Sequence, residues 1–455
     1  MADLRVVVVG AGPAGVRAAA TLAAAGLRPT IVDEGIKPGG RIYQQPPEGA
    51  ERPAAELYGF DAAKATRLHA IVPALRMRID YRPRTLVWNV FEGALDLLTA
   101  EGRMEQLGFD VLLLATGATD LALPFPGWTL PGVFSLGGAQ IALKTQGCAI
   151  GRRVVFLGAG PLLPLVAWQY VKAGGEVAAV LDATPFVAKL RGAWRMASAP
   201  ATLAKGVYYT GQLRRAGVPM HYDVRRPRVD GAGRVERIRF EAGGRTHEAA
   251  CDAVGASFGL RSETQLADLA GCRFVYEPRA RQWLPHREAG GRSSVKGVYL
   301  AGDGAGIAGA DAAELAGERA ALAVLEDLGY RFDVNRALDL DGRLARLDRF
   351  RRGLETAYPF PSHLVADLPD ETLVCRCEGI DAATLRRTIR DKDAREVNRL
   401  KALSRSGMGR CQGRMCGLAA AELLAHARGA DLASAGRLRG QPPIKPIPIV
   451  AEALE

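Results

Sequence analysis

Four cysteines near the C-terminus stand in two close pairs, Cys375-Arg376-Cys377 and Cys411-Gln412-Gly413-Arg414-Met415-Cys416. Close thiol pairs in a chain with no secretory pattern point to a metal group rather than to disulfides. Two groups compete for four thiolates. Zinc takes them tetrahedrally, in pairs usually spaced more widely than Cys375-x-Cys377. A [2Fe–2S] cluster takes two per iron and is tuned by hydrogen bonds to sulfur. Gly407, Gly409, Gly413 and Gly417 frame the second pair and would bring backbone N–H groups close to it. Neighbouring arginines would offset a negative cluster. Spacing and glycines favour the cluster, with zinc or free structural thiols as the alternatives. Cys148, Cys251 and Cys272 are isolated in apolar or mixed surroundings and are expected to be core packing.

A second chemical signature opens the chain. The apolar strand Leu4 to Val9 runs into Gly10-Ala11-Gly12-Pro13-Ala14-Gly15, and an alanine-rich helix is expected from about Ala14 to Ala25. Gly26 stops it. A strand from Pro29 to Val32 ends in Asp33-Glu34. Gly10 permits the tight turn, Gly12 lets the backbone approach a pyrophosphate, and Gly15 lets helix and strand pack closely. The helix N-terminus presents free N–H groups to the phosphates. An acid roughly 20 residues on can accept hydrogen bonds from a ribose. That acid is Asp33, with Glu34 as the alternative one residue along.

Three further segments narrow the cofactor. Phe109 to Gly117 is a buried strand ending in Ala115-Thr116-Gly117. Gly297 to Asp303 is another, ending in Gly302-Asp303, before a helix from about Ala310 to Leu325. With the first motif, this trio resembles the two-dinucleotide-domain flavoproteins, which include thioredoxin and glutathione reductases, over roughly residues 1–330. The resemblance implies FAD. It gives Asp303 the ribityl chain and places the helix after it toward the flavin; a turn or N-cap aspartate is the competing reading. Gly39-Gly40-Arg41-Ile42-Tyr43 is similar to the family's glycine pair at the flavin edge, which makes Gly40 and Arg41 contact candidates.

The pattern then repeats. Arg153 to Leu157 is a strand, Gly158-Ala159-Gly160-Pro161-Leu162-Leu163 follows, and a helix to about Ala173 leads to the strand Val177–Leu181 and Asp182. Leu163 replaces the third glycine and should push helix from strand. The second fold is therefore open to three readings: no ligand, another nucleotide such as ATP, or NAD(P)H. No close cysteine pair precedes Cys375, which disfavours thioredoxin-like disulfide chemistry.

The expected architecture is α/β. An FAD-binding Rossmann-like domain (residues 1–120 and 290–330) carries an inserted second nucleotide-binding-like domain (121–289). Linker helices (331–368), a small α-rich [2Fe–2S] domain (369–428) and a tail (429–455) follow. The net charge of +11 is spread over scattered arginines. Its densest group, Arg225-Arg226-Pro227-Arg228, lacks interleaved aromatics, so a solvated surface or an acidic protein partner is expected and nucleic acid is not. No apolar run approaches the roughly 20 residues that span a bilayer, and no secretory leader pattern is present. A cytoplasmic location is expected, with membrane association only through peripheral contact or the complex. His221 and His286 lie near apolar residues and read as structural. No catalytic residue is singled out.

The cysteine segment is similar to the bacterioferritin-associated-ferredoxin type of [2Fe–2S] domain, except that Cys411 and Cys416 are separated by four residues where the founding ferredoxin has two. The wider spacing fits flavoprotein fusions carrying Gly407-Met408-Gly409-x-Cys411-Gln412-Gly413. The order of parts, with Gly259-Leu260-Arg261-Ser262-Glu263-Thr264 and the tail Pro442-Pro443-Ile444-Lys445-Pro446-Ile447-Pro448, resembles the alpha (A) subunit of heteromeric amino-acid dehydrogenases. That group includes opine oxidases, hydrogen cyanide synthase and the D-hydroxyproline and L-proline dehydrogenases. The resemblance implies an electron-relay subunit beside an FAD-containing beta subunit of amine-oxidase type. A small ferredoxin-like gamma subunit is a further expectation, as is an FMN at a subunit interface, and D-hydroxyproline is the favoured substrate. A self-sufficient NAD(P)H-dependent flavin reductase, and a metal-stabilised scaffold without activity, are the competing readings.

Overall fold

The computed structural model describes residues 4–198 and 200–449. Its first sheet is parallel, in the order Val298–Leu300, Val111–Leu114, Val6–Val9, Thr30–Val32, Asp80–Arg82. Val6–Val9 and Val111–Leu114 are buried along their whole length, as strands covered on both faces must be. The chain starts in the middle of this sheet, so its first turn falls where the strand order reverses. Ligands of open α/β sheets sit at that place.

Two helices cover one face, Pro13–Ala24 and Ala310–Asp327, and glycines set how near they come. A Cβ on Gly15 would fall 1.8 Å from the Gly10 carbonyl oxygen, and one on Gly317 2.0 Å from that of Ala14. No side chain larger than hydrogen fits at either.

The second sheet repeats the plan, in the order Met220–Tyr222, Glu176–Asp182, Arg153–Gly158, Ala253–Ser257, Val133–Ser135, again parallel. Its helix begins at Leu162, four residues after Gly158, whereas the first helix begins three residues after Gly10. Leu163 is buried with Val154, Phe156 and Val180. The leucine is thus taken into the core and the helix starts one residue later. Leu260–Ser262 pairs antiparallel with Ala118–Asp120 and carries the chain back. Leu266, Ala267 and Cys272 already lie in the core of the first sheet, so the return comes earlier than residue 290.

Asp333 caps the long helix Val334–Ala357. The C-terminal domain has a short strand pair, Leu373–Cys375 with Ile380–Asp381, and helices Ala382–Asp391, Val397–Ser404 and Gly417–Ala427. Asp381 and Glu396 cap the first two. Its core is continuous with that of the second sheet, and Trp128 Nε1 donates to the Leu373 carbonyl at 2.6 Å.

Cys251 and Cys272 are buried as expected, but Cys148 is exposed just beyond the helix Leu136–Thr145. Within Arg225–Arg228 the arginines pair with Asp223, Glu241 and Asp230, so that group is a paired, solvated face. Among the described residues no helix is long and apolar enough to cross a membrane.

Replacing Gly317 by valine should force the two helices apart and cost about 1–3 kcal/mol, as overpacking does. Thermal or urea unfolding reads this directly; an unchanged midpoint would contradict the packing described.

Candidate functional site

The first glycine turn is built by backbone contacts. Gly10 has φ +106°, and a Cβ there would lie 2.3 Å from the Ala115 carbonyl oxygen. Gly12 caps the helix without any side-chain hydrogen bond, and Pro13 follows at its first position. The N–H groups of that first turn, at Ala14 and Gly15, have no partner within the helix. A Cβ on Gly40 would lie 2.9 Å from Gly12 Cα, and one on Gly302 2.8 Å from Ala14 Cβ. The expected residues Gly10, Gly12, Pro13, Ala14, Gly15, Gly40, Ala115 and Gly302 therefore meet in one backbone-lined cradle. It fits a diphosphate: small residues allow approach and a helix N-terminus faces it.

The two candidate acids take different places. Asp33 accepts N–H bonds from Ala11 and from Gly35, one on each oxygen. Burial pushes its pKa up, and the two N–H groups offset part of this. Asp33 organises the turn. Glu34 instead lines a cavity, where it pairs with Lys445 and lies 3.6 Å from Arg41. Burial works against its charge, but Lys445 and then Arg41 outweigh it and hold the carboxyl below its usual range. Of the two acids, Glu34 is the one that faces the cavity. Asp303 Oδ1 accepts from Ala308 and Gly309 at 2.8 and 3.0 Å. This is the turn role weighed against the cofactor role, and it leaves Oδ2 for another partner.

The cavity has a volume of about 410 Å³. Glu34, Arg41 and Thr116 line it from the first fold, Glu263 from the return segment, and Cys411 and Arg414 from the cysteine loop. Thr116 Oγ1 donates to the Glu263 carbonyl at 2.6 Å, and Glu263 N–H donates to the Gly117 carbonyl at 3.0 Å. The Glu263 carboxylate holds Arg414 through Nε at 2.7 Å and Nη2 at 3.1 Å. Burial would raise its pKa; Arg414 and then Arg261 more than offset this and keep it ionised. Arg261 Nη1 donates to the Arg414 carbonyl at 2.9 Å.

The four C-terminal cysteines are neighbours. The Cys416 sulfur adjoins those of Cys375 and Cys411, and Cys377 adjoins Cys411. A hydrogen bond from Cys416, with backbone N–H groups, holds Cys375 and Cys411 below the usual thiol range. N–H groups of Gly407, Cys377 and Glu378 point at Cys375, those of Gly413 and Met415 at Cys411, and that of Cys411 at Cys377. N–H groups aimed at thiolate sulfur are the surroundings of an iron–sulfur cluster. Among the described residues, no three His, Cys, Asp or Glu side chains group around a single metal ion. The tail locks the loop: Leu438 fills the space beside Gly407, Gly413 and Gly417.

Comparison with known proteins follows the same division. Residues 4–320 match the pyridine nucleotide-disulphide oxidoreductase family, and residues 373–426 the BFD-like [2Fe-2S] binding domain. The chain is 37% identical to the A-type subunit of opine oxidase from Rhizobium meliloti, over 98% of this chain and 87% of that one. It is 32% identical to hydrogen cyanide synthase subunit HcnB of Pseudomonas aeruginosa, over 99% and 98%. This chain belongs to the family of the opine oxidase A-type subunit and HcnB. Among solved structures, L-proline dehydrogenase from P. horikoshii superposes with a TM-score of 0.70 at 20% identity, covering 98% of this chain and 78% of that one, and shares its fold. The cofactors of this family member are FAD, in a fold able to take FAD or NAD(P), and a [2Fe–2S] cluster.

In this family member the acid at the end of the second fold's second strand is held by a lysine. Asp182, the counterpart of Asp33, accepts from the Thr184 N–H, is buried and is paired with Lys189, whose ammonium also lies 4.3 Å over the Tyr222 ring. Glu263, Arg414, Lys445 and Arg410 were not singled out as site residues from sequence. Only Gly259–Thr264 and the proline-rich tail, by resemblance, touched the segments that carry Glu263 and Lys445. His221 stacks among Phe240 and His247, a structural role.

Lys144 adds a pH-dependent feature beside the Gly39–Tyr43 segment. Its Nζ donates to the Ile42 carbonyl at 3.4 Å, and burial lowers its pKa from 10.5 to about 8. Between those values the unfolded chain holds a proton that the folded chain lacks, so stability rises with pH there. Lys144→Met should be more stable than wild type below pH 8, and the gap should narrow by roughly 3 kcal/mol by pH 10.5. Urea unfolding of both proteins across this range measures it.

At Gly409 a Cβ would fall 2.3 Å from Cys377 Cβ. Gly409→Ala should lose most of the bound iron while keeping flavin, whereas Cys148→Ser should keep both. Iron assay and visible absorbance decide it.

Proposed function

We propose that this chain is the electron-transfer subunit of a heteromeric dehydrogenase acting on CH–NH donors. It would receive electrons from a catalytic FAD-containing beta subunit of amine-oxidase type and pass them to an acceptor. The observation that carries the reading is the shared cavity, lined by Thr116 of the dinucleotide fold and Cys411 of the cysteine loop. FAD takes two electrons as a hydride and can release them singly, as a [2Fe–2S] cluster requires.

The chain's own residues would do four things. The Gly10–Gly15 turn and Gly40 would cradle the diphosphate, and Glu34 would take the ribose. Glu263 and Arg414 would hold the Cys411–Cys416 loop against the Thr116–Gly117 turn. Backbone N–H groups would stabilise charge on the cysteine sulfurs. Arg261, half-buried beside that loop and donating to the Arg414 carbonyl, would add a positive charge there. The opine oxidase relatives support an imino-acid or opine donor, and D-hydroxyproline is the first substrate to test. The donor C–H and N–H are lost as two electrons and two protons, leaving an imine in the partner's site. The later helix start at Leu162 and the buried Leu163 in place of the third glycine weigh against the reductase reading.

The test is visible spectroscopy under anaerobic conditions on the chain alone and co-expressed with its partner subunit. D-hydroxyproline, L-proline or an opine should bleach flavin and cluster bands only when the partner is present. NADH should bleach neither in the chain alone. Full-rate oxidation of an amino acid by the chain alone, or rapid bleaching by NADH, would overturn the proposal.

A further inference from the structure

The helix Phe186–Met196 is packed inside out. Its inner face is small: Gly192 seats against the long helix, where a Cβ would meet Gly353 O and Ala357 Cβ at 2.6 Å each. A Cβ on Gly353 would in turn lie 2.9 Å from the Met196 backbone nitrogen. The large apolar side chains point the other way. Phe186, Val187, Leu190 and Trp194 fall on one face at helical spacing and are exposed, Trp194 to 72% and Leu190 to 61%. An amphipathic surface helix normally buries such a stripe.

The stripe has neighbours of the same kind. On the following helix, Pro200–Arg215, Val207 and Tyr208 are exposed, and Tyr208 meets exposed Phe60 edge-on at 5.3 Å. Lys205 pairs with Asp61 at 2.9 Å. Exposed apolar side chains thus lie on both helices of the second fold and on the Phe60 turn of the first. On the two helices the charge is one-sided, and the acid beside Phe60, Asp61, is held by Lys64 and Lys205. From Ala183 to Tyr222 the sequence has Lys189, Arg191, Arg195, Lys205, Arg214 and Arg215 and no Asp or Glu. Lys189 is turned inward to Asp182, and Arg195 lies 5.2 Å over the Trp194 ring.

We infer that this face docks the catalytic subunit of the heteromer, through an apolar patch on that subunit rimmed by carboxylates. The inference rests on the subunit reading above and adds the place and chemistry of contact. Exposed Trp, Tyr and Phe interleaved with arginine are the composition of protein–protein interfaces, and such aromatics carry most of the binding energy. A second copy of this chain would bring cations against cations, which disfavours self-association. The aromatic groups are spread over two helices and a turn of the other fold, a shape suited to a protein surface. A bilayer would instead take the apolar face of one helix lying in its plane.

The experiment uses the full chain, wild type and Leu190→Ser/Trp194→Ser, each co-expressed with the amine-oxidase-type FAD subunit. Both side chains are exposed, so unfolding midpoint, flavin and iron content should be unchanged in the variant. The expected result is co-elution with wild type and at least a ten-fold weaker dissociation constant for the variant, with binding that weakens as salt rises. Equal binding by both would overturn this surface and leave the subunit reading standing. Failure of the wild type to bind would overturn the surface and the subunit reading together. Salt-sensitive binding of wild type, but not the variant, to phosphatidylglycerol vesicles without any effect on partner binding would make the face a membrane surface and overturn the inference.

Discussion

The buried pair between Glu263 and Arg414 ties the molecule together. Both side chains are about nine-tenths shielded from solvent. Taking two charges out of water costs several kcal/mol per ion, and their attraction repays this only with good geometry. Here the geometry is two-pronged, and the arginine's other groups are also used, Nη1 reaching the Ile444 carbonyl at 2.5 Å. The value of such a pair lies in position. Glu263 sits on the strand return between the two nucleotide folds, and its backbone is hydrogen-bonded to Thr116 and Gly117. Arg414 sits inside the loop between Cys411 and Cys416. One ion pair therefore fixes the cysteine loop relative to the dinucleotide turn, and the tail closes over both.

The tail shows how the same constraint is distributed. Arg437 binds Asp268 with two hydrogen bonds, at 2.6 and 2.7 Å, and stacks 3.9 Å from the Phe274 ring. Leu438 fills the glycine-lined space of the cysteine loop. Ile444 is buried in the core of the first sheet, and Lys445 reaches Glu34. Within a few residues the strand of chain touches the cysteine domain, the return segment and the nucleotide cavity. Electron transfer between two groups depends on a fixed separation, and this is where the separation is held.

The two nucleotide folds show what one side chain can change. In the first, Gly15 and Gly317 remove every atom that would hold the helices off, and the helix N-terminus is left free for phosphate. In the second, Leu163 enters the core, the helix starts later, and Lys189 pairs with Asp182, the counterpart of Asp33. The strand order and parallel pairing survive because they depend on apolar strands and right-handed crossovers, which the substitution leaves alone.

Much was legible in sequence because it depends on local rules. Apolar strands running into glycine turns gave both sheets, and the cysteine spacing with its glycines pointed to a cluster, because turn geometry and metal ligation need particular residues at particular separations. Which of Asp33 and Glu34 faces the cavity was not legible. It depends on which carboxylate the Ala11 and Gly35 N–H groups capture, a matter of one residue in strand register. Cys148 read as core and is exposed, since local apolarity says nothing of which side of a helix end faces water. Glu263 and Arg414 lie far apart in the chain, and no spacing rule links residues that meet only through the packing of three domains. Residue types and local periodicity determined the folds and the chemistry available. Tertiary structure alone decided which charged groups face the cavity, because burial and long-range pairing exist only once the chain has closed on itself.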